Sequence, residues 1–336
     1  MDAKNITMTS FRHVSDSVPG FSRKRRGKSF HYFDSQGIRI FDETTLKRIK
    51  TLAIPPAYTR VWISPYANSH IQATGRDSRN RKQYRYHSQW REVREESKFK
   101  SMIPFGQILP MIRKHVACEL EKPLKIDKNQ IICAIIYLLD NYFIRIGNAV
   151  YEKENKSYGL TTLRKKHLSL EPNQAILEFA GKNSKPWHVV LRDKKIVKLL
   201  KKCDAIPGYR LFKYFDDKKN HNEITSQDIN TYLHNLTNHS FTAKDFRTWG
   251  ACRETFYRLS QIQNSDEISP KTLKAAICEV ANILGHTPAI CQKSYIYPEI
   301  IALWKKQQIK VWLDKQPKKL IHDKDQLLLK WLEAHS

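Results

Sequence analysis

The spacing of apolar residues changes once along this chain, near Trp90, and divides it into two regions of different structural class. Before that point, short apolar runs alternate with turn residues. Phe30-His31-Tyr32-Phe33 and Ile38-Arg39-Ile40-Phe41 flank Asp34-Ser35-Gln36-Gly37, the pattern of a hairpin. Val61-Trp62-Ile63, after Pro55-Pro56, and Ile71-Gln72-Ala73-Thr74 read as further strands, and 43–51 as one short helix. Beyond Trp90, segments 105–122, 128–143, 197–203, 226–237, 251–263 and 271–284 each repeat apolar residues at spacings of three and four. A strand-like island interrupts them at 167–170, 175–179 and 187–191. The predicted class is α+β, with a small β-rich N-terminal domain over 1–92 and a larger, mainly α-helical domain over 93–336 that carries a small three-stranded sheet. The first twenty residues, polar and without period, predict a ragged arm. Residues 300–332 predict one or two amphipathic helices, packed on the helical domain or docking a partner.

Charge narrows the functional classes. Lysine and arginine number 59 against 33 acidic residues, a formal charge of +26, and a folded chain with that excess seeks polyanions, nucleic acid first. The run Arg23-Lys24-Arg25-Arg26-Gly27-Lys28 suits a localisation signal, a phosphate contact or plain solvation, and its surroundings favour phosphate contact. The apolar run 131–139 is far too short to cross a bilayer, and the opening residues lack the apolar stretch of a secretory leader, so neither membrane insertion nor secretion is expected. Cys118, Cys133, Cys203, Cys252, Cys278 and Cys291 are scattered without C-x-x-C or zinc spacing. They predict reduced thiols in an intracellular protein, with Cys133 in the core.

Several residues carry chemistry. The segment from Gln72 to His87 interleaves arginines and a lysine with aromatics and amides. If 83–87 is extended, period two puts Tyr84 and Tyr86 on one face and Gln83, Arg85 and His87 on the other. Arg81, Lys82 and the phenols can then grip phosphates while the Gln83 amide reads a base edge, although an exposed hairpin with ordinary tyrosine packing suits the same residues. Arg145 emerges where the helix 128–143 ends, either capping its last carbonyls or facing a site. Lys182 falls in a turn between two strands, where a lysine is solvated unless neighbouring cations such as Arg145 lower its pKa and make it a proton donor. Lys244 and Arg247 lie one helical turn apart and face the same side. Gly285 ends a helix, and His286 either caps that helix or donates to a phosphate oxygen. Tyr295 follows, with Tyr297 as the rival phenol. Two arginines and a histidine to hold oxygens, a lysine to protonate a leaving group and a phenol to form a covalent intermediate make up the chemistry of a tyrosine attacking a phosphodiester. That set calls for no cofactor and no metal.

Taken in order, Pro55-Pro56-Ala57, Gln72-Ala73-Thr74-Gly75-Arg76-Asp77, Arg81-Lys82-Gln83-Tyr84, Arg145-Ile146-Gly147-Asn148 with Tyr151, and Gly159-Leu160-Thr161-Thr162-Leu163 precede Phe179-Ala180-Gly181-Lys182, Lys244-Asp245-Phe246-Arg247-Thr248 and Gly285-His286-Thr287-Pro288. This series resembles the type IB DNA topoisomerases, from about Ile54 to Tyr295. The resemblance to their short poxvirus and bacterial forms implies two domains forming a clamp around duplex DNA. It implies Tyr295 as the nucleophile of a 3′-phosphotyrosyl link, Arg145, Arg247 and His286 on the non-bridging oxygens, and Lys182, aided by Arg145, as donor to the 5′-oxygen. Arg81, Lys82, Gln83, Tyr84, Tyr86, Tyr151 and Lys244 would contact DNA. Supercoils would relax by strand rotation and religation in a monomer, without ATP or a required metal. The expected location is the bacterial cytoplasm at the nucleoid, with nucleus or virion as alternatives for another source.

The chain departs from the poxvirus pattern at Asn148, where those members have Lys, and at Cys252, where they have Asn. A strict poxvirus-like cleavage sequence is therefore not expected. A tyrosine recombinase shares the catalytic order but normally shows His-x-x-Arg in place of Lys244-Asp245-Phe246-Arg247, with a helical N-terminal domain. A purely architectural DNA-binding protein would keep the charge without the catalytic set, and a metal-dependent nuclease would need a carboxylate cluster that does not accompany these basic residues.

Overall fold

Alternating apolar side chains and tight turns build the first sheet. In the structure, a computed structural model describing residues 10–216, 218, 220–262 and 268–335, β1 (Phe21–Arg26), β2 (Ser29–Phe33), β3 (Thr59–Ile63), β4 (Ile71–Arg76) and β5 (Lys82–Tyr86) pair antiparallel in the order β2-β1-β3-β4-β5. Helix α1 (Glu43–Thr51) crosses between β2 and β3 in sequence, capped by Asp42, whose carboxylate accepts the Thr45 N–H at 2.8 Å. Its Ile49 packs with Val61, Ile63 and Ala73 into a small core, flanked by Phe21, Tyr32, Leu52, Ile54 and Tyr58. Helix α2 (Ser88–Lys100) completes this unit, which ends at Lys100; a second unit begins at Ser101. The boundary expected after residue 92 thus falls inside α2.

Two expectations for this unit are corrected. The strand 30–33 does not form its ladder with 38–41; as β2 it pairs instead with β1, which takes in most of the basic run, from Ser22↔Phe33 to Arg26↔Ser29. The turn at 34–37 does form, with Asp34 N–H donating to Ile38 O at 2.9 Å, but 38–41 adds only the bridge Phe33↔Arg39. Ile38 and Phe41, 60% and 70% exposed, have no apolar surface to cover and gain nothing from extending the ladder. Finally, 10–20 is anchored rather than ragged. Phe11 is buried with its ring 5.1 Å from His87 and 5.5 Å from Trp90, and Asp16 binds Thr74 and Lys82. The rest of that predicted arm, 1–9, lies outside the described residues.

The second unit is mainly helical. Helices α3 (Met102–Glu121), α4 (Lys128–Tyr142) and α5 (Ala149–Asn155) lead into the antiparallel sheet of β6 (Leu168–Leu170), β7 (Ala175–Ala180) and β8 (Pro186–Leu191). After α6 (Lys194–Ala205) come the small ladder β9 (Lys213–Phe215) and β10 (His221–Glu223), then α7 (Ser226–Thr237), α8 (Ala243–Ser260), α9 (Pro270–Ile283) and α10 (Pro288–Ser294). The apolar run of α4 is buried all round, Cys133 included, and Phe105, Phe246, Trp249, Phe256 and Trp331 are fully buried around it and α8. Burying each such side chain stabilises by roughly 1.5–3 kcal/mol, so this cluster dominates the unit.

Helix α8 starts at Ala243, well before the 251 that apolar spacing suggests, because Thr242 and Asp245 form a capping box. The predicted end of that segment at Gln263 lies outside the described residues. The stretch expected to form one or two helices folds as α11 (Pro298–Lys305), α12 (Gln308–Leu313), α13 (Lys318–His322) and α14 (Lys324–Ala334). Prolines at 298 and 317 and the Asp323 cap divide it, and α14 packs on α3 and α8 with Leu327, Leu328 and Trp331 buried. Among the described residues no helix is long and apolar enough to cross a membrane.

Candidate active site

Different elements each deliver one side chain to a single pocket in the second unit. Helix α4 ends at Phe143, which takes a left-handed conformation at φ 52°, and the chain runs on to Arg145. The Gly159–Thr162 turn grips this segment, with Leu160 N–H donating to Arg145 O at 2.8 Å and Thr161 N–H to Ile146 O at 2.7 Å. Arg145 therefore does not cap α4. Its Nη2 instead donates to Gly285 O at 3.2 Å and lies 3.1 Å from His286 Nδ1.

Arg247 comes from the second turn of α8 and is only 3% exposed. Its Nη1 donates to the freed carbonyl of Phe143, and its Nη2 donates to Leu284 O at 2.7 Å and meets His286 Nε2 at 2.8 Å. Burial, then Arg145, pushes its pKa down to about 10, and the Tyr295 phenol opposes that shift. Arg145 is lowered as well, by burial, with Tyr295 again opposing. Among the described residues, Arg145 Nη1 and Arg247 Nε are buried with no hydrogen-bond partner. Two cations held together with donors to spare form a cradle for an anionic oxygen.

His286 sits at the α9–α10 junction. Gly285 before it adopts φ +61°, and His286 N–H closes the turn on Ala281 O at 2.7 Å. Its backbone thus caps α9 while its ring, 6% exposed overall, serves the site. Burial comes first, and then Arg247, Arg145, Lys182 and Lys185, in lowering its pKa to about 2, so the imidazole is neutral. A neutral ring accepts at one nitrogen only, yet both face a guanidinium nitrogen. One of these contacts sets N–H against N–H, and an oxygen anion taking both donors relieves it.

Tyr295 caps the C-terminus of α10, its N–H donating to Cys291 O at 3.0 Å. Its ring centroid is 4.3 Å from that of His286 and 5.7 Å from Arg247 Cζ. Cys252 of α8 steadies the backbone here, donating from Sγ to Tyr295 O at 3.1 Å and accepting the Tyr297 N–H at 3.2 Å. The Tyr297 phenol is raised in pKa by burial, then by Glu299 and Cys252. Tyr295 is the phenol that faces the arginines.

Lys182 lies in the turn joining β7 and β8. It is exposed, yet protein crowds it enough that partial desolvation, followed by Arg145, lowers its pKa, with Lys244 and Arg247 adding and Tyr295 opposing. Lys244 is exposed one helical turn from Arg247 and belongs to the rim of this pocket. Arg145, Arg247, His286 and Tyr295 thus meet in one pocket, and Lys182 lies near enough to interact electrostatically with Arg145, Arg247 and Tyr295.

The remaining nucleic-acid candidates fall elsewhere. Tyr151 stands 46% exposed on the first turn of α5, which Asn148 caps. In the first unit, Tyr84 and Tyr86 do share a face, their rings stacked at 6.0 Å. Arg81 and Gln83 bind Asp77, at 2.8 and 3.0 Å, and Lys82 binds Asp16 at 2.7 Å. Two residues that sequence reasoning missed adjoin the pocket. Lys185 donates from Nζ to His286 O, and Trp187 packs against Gly181 and Gly285. Their closeness in sequence to Lys182, with Lys185 in its turn and Trp187 at the start of β8, was the one available signal.

Among the described residues no carboxylate pairs with Arg145, Lys182 or Arg247, and such a pocket of cations beside a phenol suits a phosphodiester. Known proteins agree. A family model of the eukaryotic DNA topoisomerase I catalytic core matches residues 87–319, and one of the bacterial DNA topoisomerase IB N-terminal domain matches 29–77. DNA topoisomerase 1B of Acanthamoeba polyphaga mimivirus is 33% identical over 303 residues, covering 85% of this chain and 88% of the viral protein. DNA topoisomerase 1B of Vaccinia virus (strain Western Reserve) is 27% identical over 257 residues, 74% of this chain and 76% of its own. DNA topoisomerase 1 of Candida albicans is 30% identical over 187 residues, 52% of this chain but 23% of the longer yeast protein. The chain belongs to the type IB DNA topoisomerases, in their short viral and bacterial form, and is an isomerase.

Proposed function

We propose that this enzyme relaxes supercoiled duplex DNA through a covalent tyrosine intermediate. The Tyr295 phenol loses its proton to solvent and its oxygen bonds to phosphorus. The P–O5′ bond breaks, Lys182 gives a proton to the departing 5′-oxygen, and the DNA keeps a 3′-phosphotyrosyl link. Arg145, Arg247 and His286 hold the non-bridging oxygens, whose charge grows as the nucleophile adds. Rotation about the intact strand follows, and the 5′-hydroxyl reverses the step. Neither ATP nor a metal enters, and a monomer suffices.

The convergence of both guanidiniums on His286, with two unused buried donors beside the Tyr295 ring, carries this reading. Wild-type and Tyr295→Phe protein incubated with supercoiled plasmid in excess chelator and without nucleotide provide the test. The wild type is expected to yield topoisomer ladders and, after denaturation, a protein–DNA adduct; the variant yields neither while still binding DNA. An adduct on another residue, or relaxation by the variant, would sink the assignment.

A further inference from the structure

The turn that carries Lys182 is tied to the junction that carries His286, and two side chains make the tie. Lys185 is fixed at both ends. Its carbonyl accepts the Gly181 N–H at 2.7 Å, closing the turn, while its ammonium donates to the His286 carbonyl. Asn183 and Ser184 in this turn adopt φ of 61° and 58°, a left-handed conformation that asparagine takes readily but serine seldom does. Trp187, at the start of β8, lies against both segments. A methyl group on Gly181 would stand 2.6 Å from its Nε1, and one on Gly285 would stand 2.6 Å from its Cζ2. Phe179 backs the indole in a parallel stack at 5.9 Å.

An exposed lysine on a long flexible stem needs such help. Lys182 must deliver its proton to one oxygen, and a displacement of about 1 Å can cost on the order of a hundredfold in rate. We propose that Lys185 and Trp187 are positioning residues that lock the general-acid turn onto the His286 junction, so that the proton donor and the oxyanion pocket act on the same phosphate. Neither touches the reacting atoms. The proposal rests on the reading of Lys182 as general acid.

The test is single-turnover cleavage by the full chain, using one duplex with the natural 5′-oxygen leaving group and one in which sulfur replaces that bridging oxygen. A thiolate leaves without protonation, so loss of a general acid is silent on the sulfur substrate. Lys182→Ala is expected to lose about 10²–10⁴-fold on oxygen and little on sulfur. Lys185→Met and Trp187→Ala are expected to lose about tenfold to a hundredfold on oxygen. They should recover on sulfur, bind DNA as the wild type does, and be restored in large part by Lys185→Arg and Trp187→Phe. If Lys182→Ala recovers on sulfur while Lys185→Met and Trp187→Ala show no defect, or an equal defect on both substrates, the positioning role is overturned and the mechanism stands. If Lys182→Ala itself stays defective on sulfur, the general-acid reading falls and this proposal falls with it.

Discussion

At the scale of single residues, the site works by crowding like charges until an anion is the only relief. Arg247 is the sharpest case, since both of its terminal nitrogens are spent on carbonyls and on His286 while Nε stays unmet. Arg247→Ala should lose cleavage by about 10²–10³-fold, as for removal of one oxyanion donor, and stability by about 1–3 kcal/mol for each carbonyl left unpaired. Single-turnover rates and chemical denaturation read these separately, and a rate loss without a stability loss would show the carbonyl bonds to be idle. His286 makes a prediction in pH. Its folded pKa of about 2 lies below the ordinary 6.5, so between those values the unfolded chain binds more protons than the folded one. Stability is therefore lost as pH falls below about 6.5, and His286→Gln removes that loss. The variant's deficit relative to wild type should shrink between about pH 7.5 and pH 5 in denaturant titrations; an unchanged deficit would mean the ring titrates normally.

At the scale of elements, the helices after Tyr295 matter through what they hold. Asp325, in the first turn of α14, binds Arg113 of α3 at 2.9 Å, Arg253 of α8 at 3.2 Å and the Trp249 indole N–H at 2.6 Å. Burial alone would raise its pKa, but Arg253 and Arg113 more than offset this and the net shift is downward. A carboxylate lowered in the folded state contributes stability above its unfolded value of 3.8 and loses it as pH falls through the folded value. Asp325→Ala should cost about 2 kcal/mol at neutral pH, and less in acid, because Arg113 and Arg253 each lose one of two carboxylate partners, keeping only Asp140 and Glu254, and the Trp249 indole N–H loses its acceptor. Thermal melts across that range decide it. A cost that stays level below pH 3.8 would show the ion pairs to be incidental.

At the scale of the whole molecule, a formal charge of +26 makes affinity for a polyanion steeply dependent on salt. Not all of that charge is free. Arg23 of β1 donates to the carbonyls of Ile54, Pro55 and Tyr58 at 3.0, 2.9 and 2.8 Å, and Arg81 and Lys82 are matched by Asp77 and Asp16. The slope of log affinity against log salt should therefore fall well below one ion per basic residue. Asp77→Asn, which frees Arg81 and Gln83, should steepen it by about one, measured by binding titrations in a salt series. An unchanged slope would mean that these side chains do not meet phosphates.

How much of this was legible in the chain follows from the range of the interactions involved. Local pattern sufficed for α1, α7, β6 to β8 and the Gly285 stop, because periodicity, capping and turn chemistry act over a few residues. It failed where a distant partner decided the outcome, as when Phe11 found Trp90, and where one local signal outweighed another: β2 paired with β1 across a two-residue turn in place of 38–41, and the Thr242–Asp245 capping box began α8 early. The order of Arg145, Lys182, Arg247, His286 and Tyr295 could be read from the sequence, since order is linear. Their convergence, the two unsatisfied guanidinium nitrogens, the frustrated imidazole and the hold of Lys185 and Trp187 on the general-acid turn arise only when α4, β7, β8, α8 and the α9–α10 junction meet. Side-chain spacing along a chain fixes what each element can offer, whereas burial and charge proximity are properties of the packed whole.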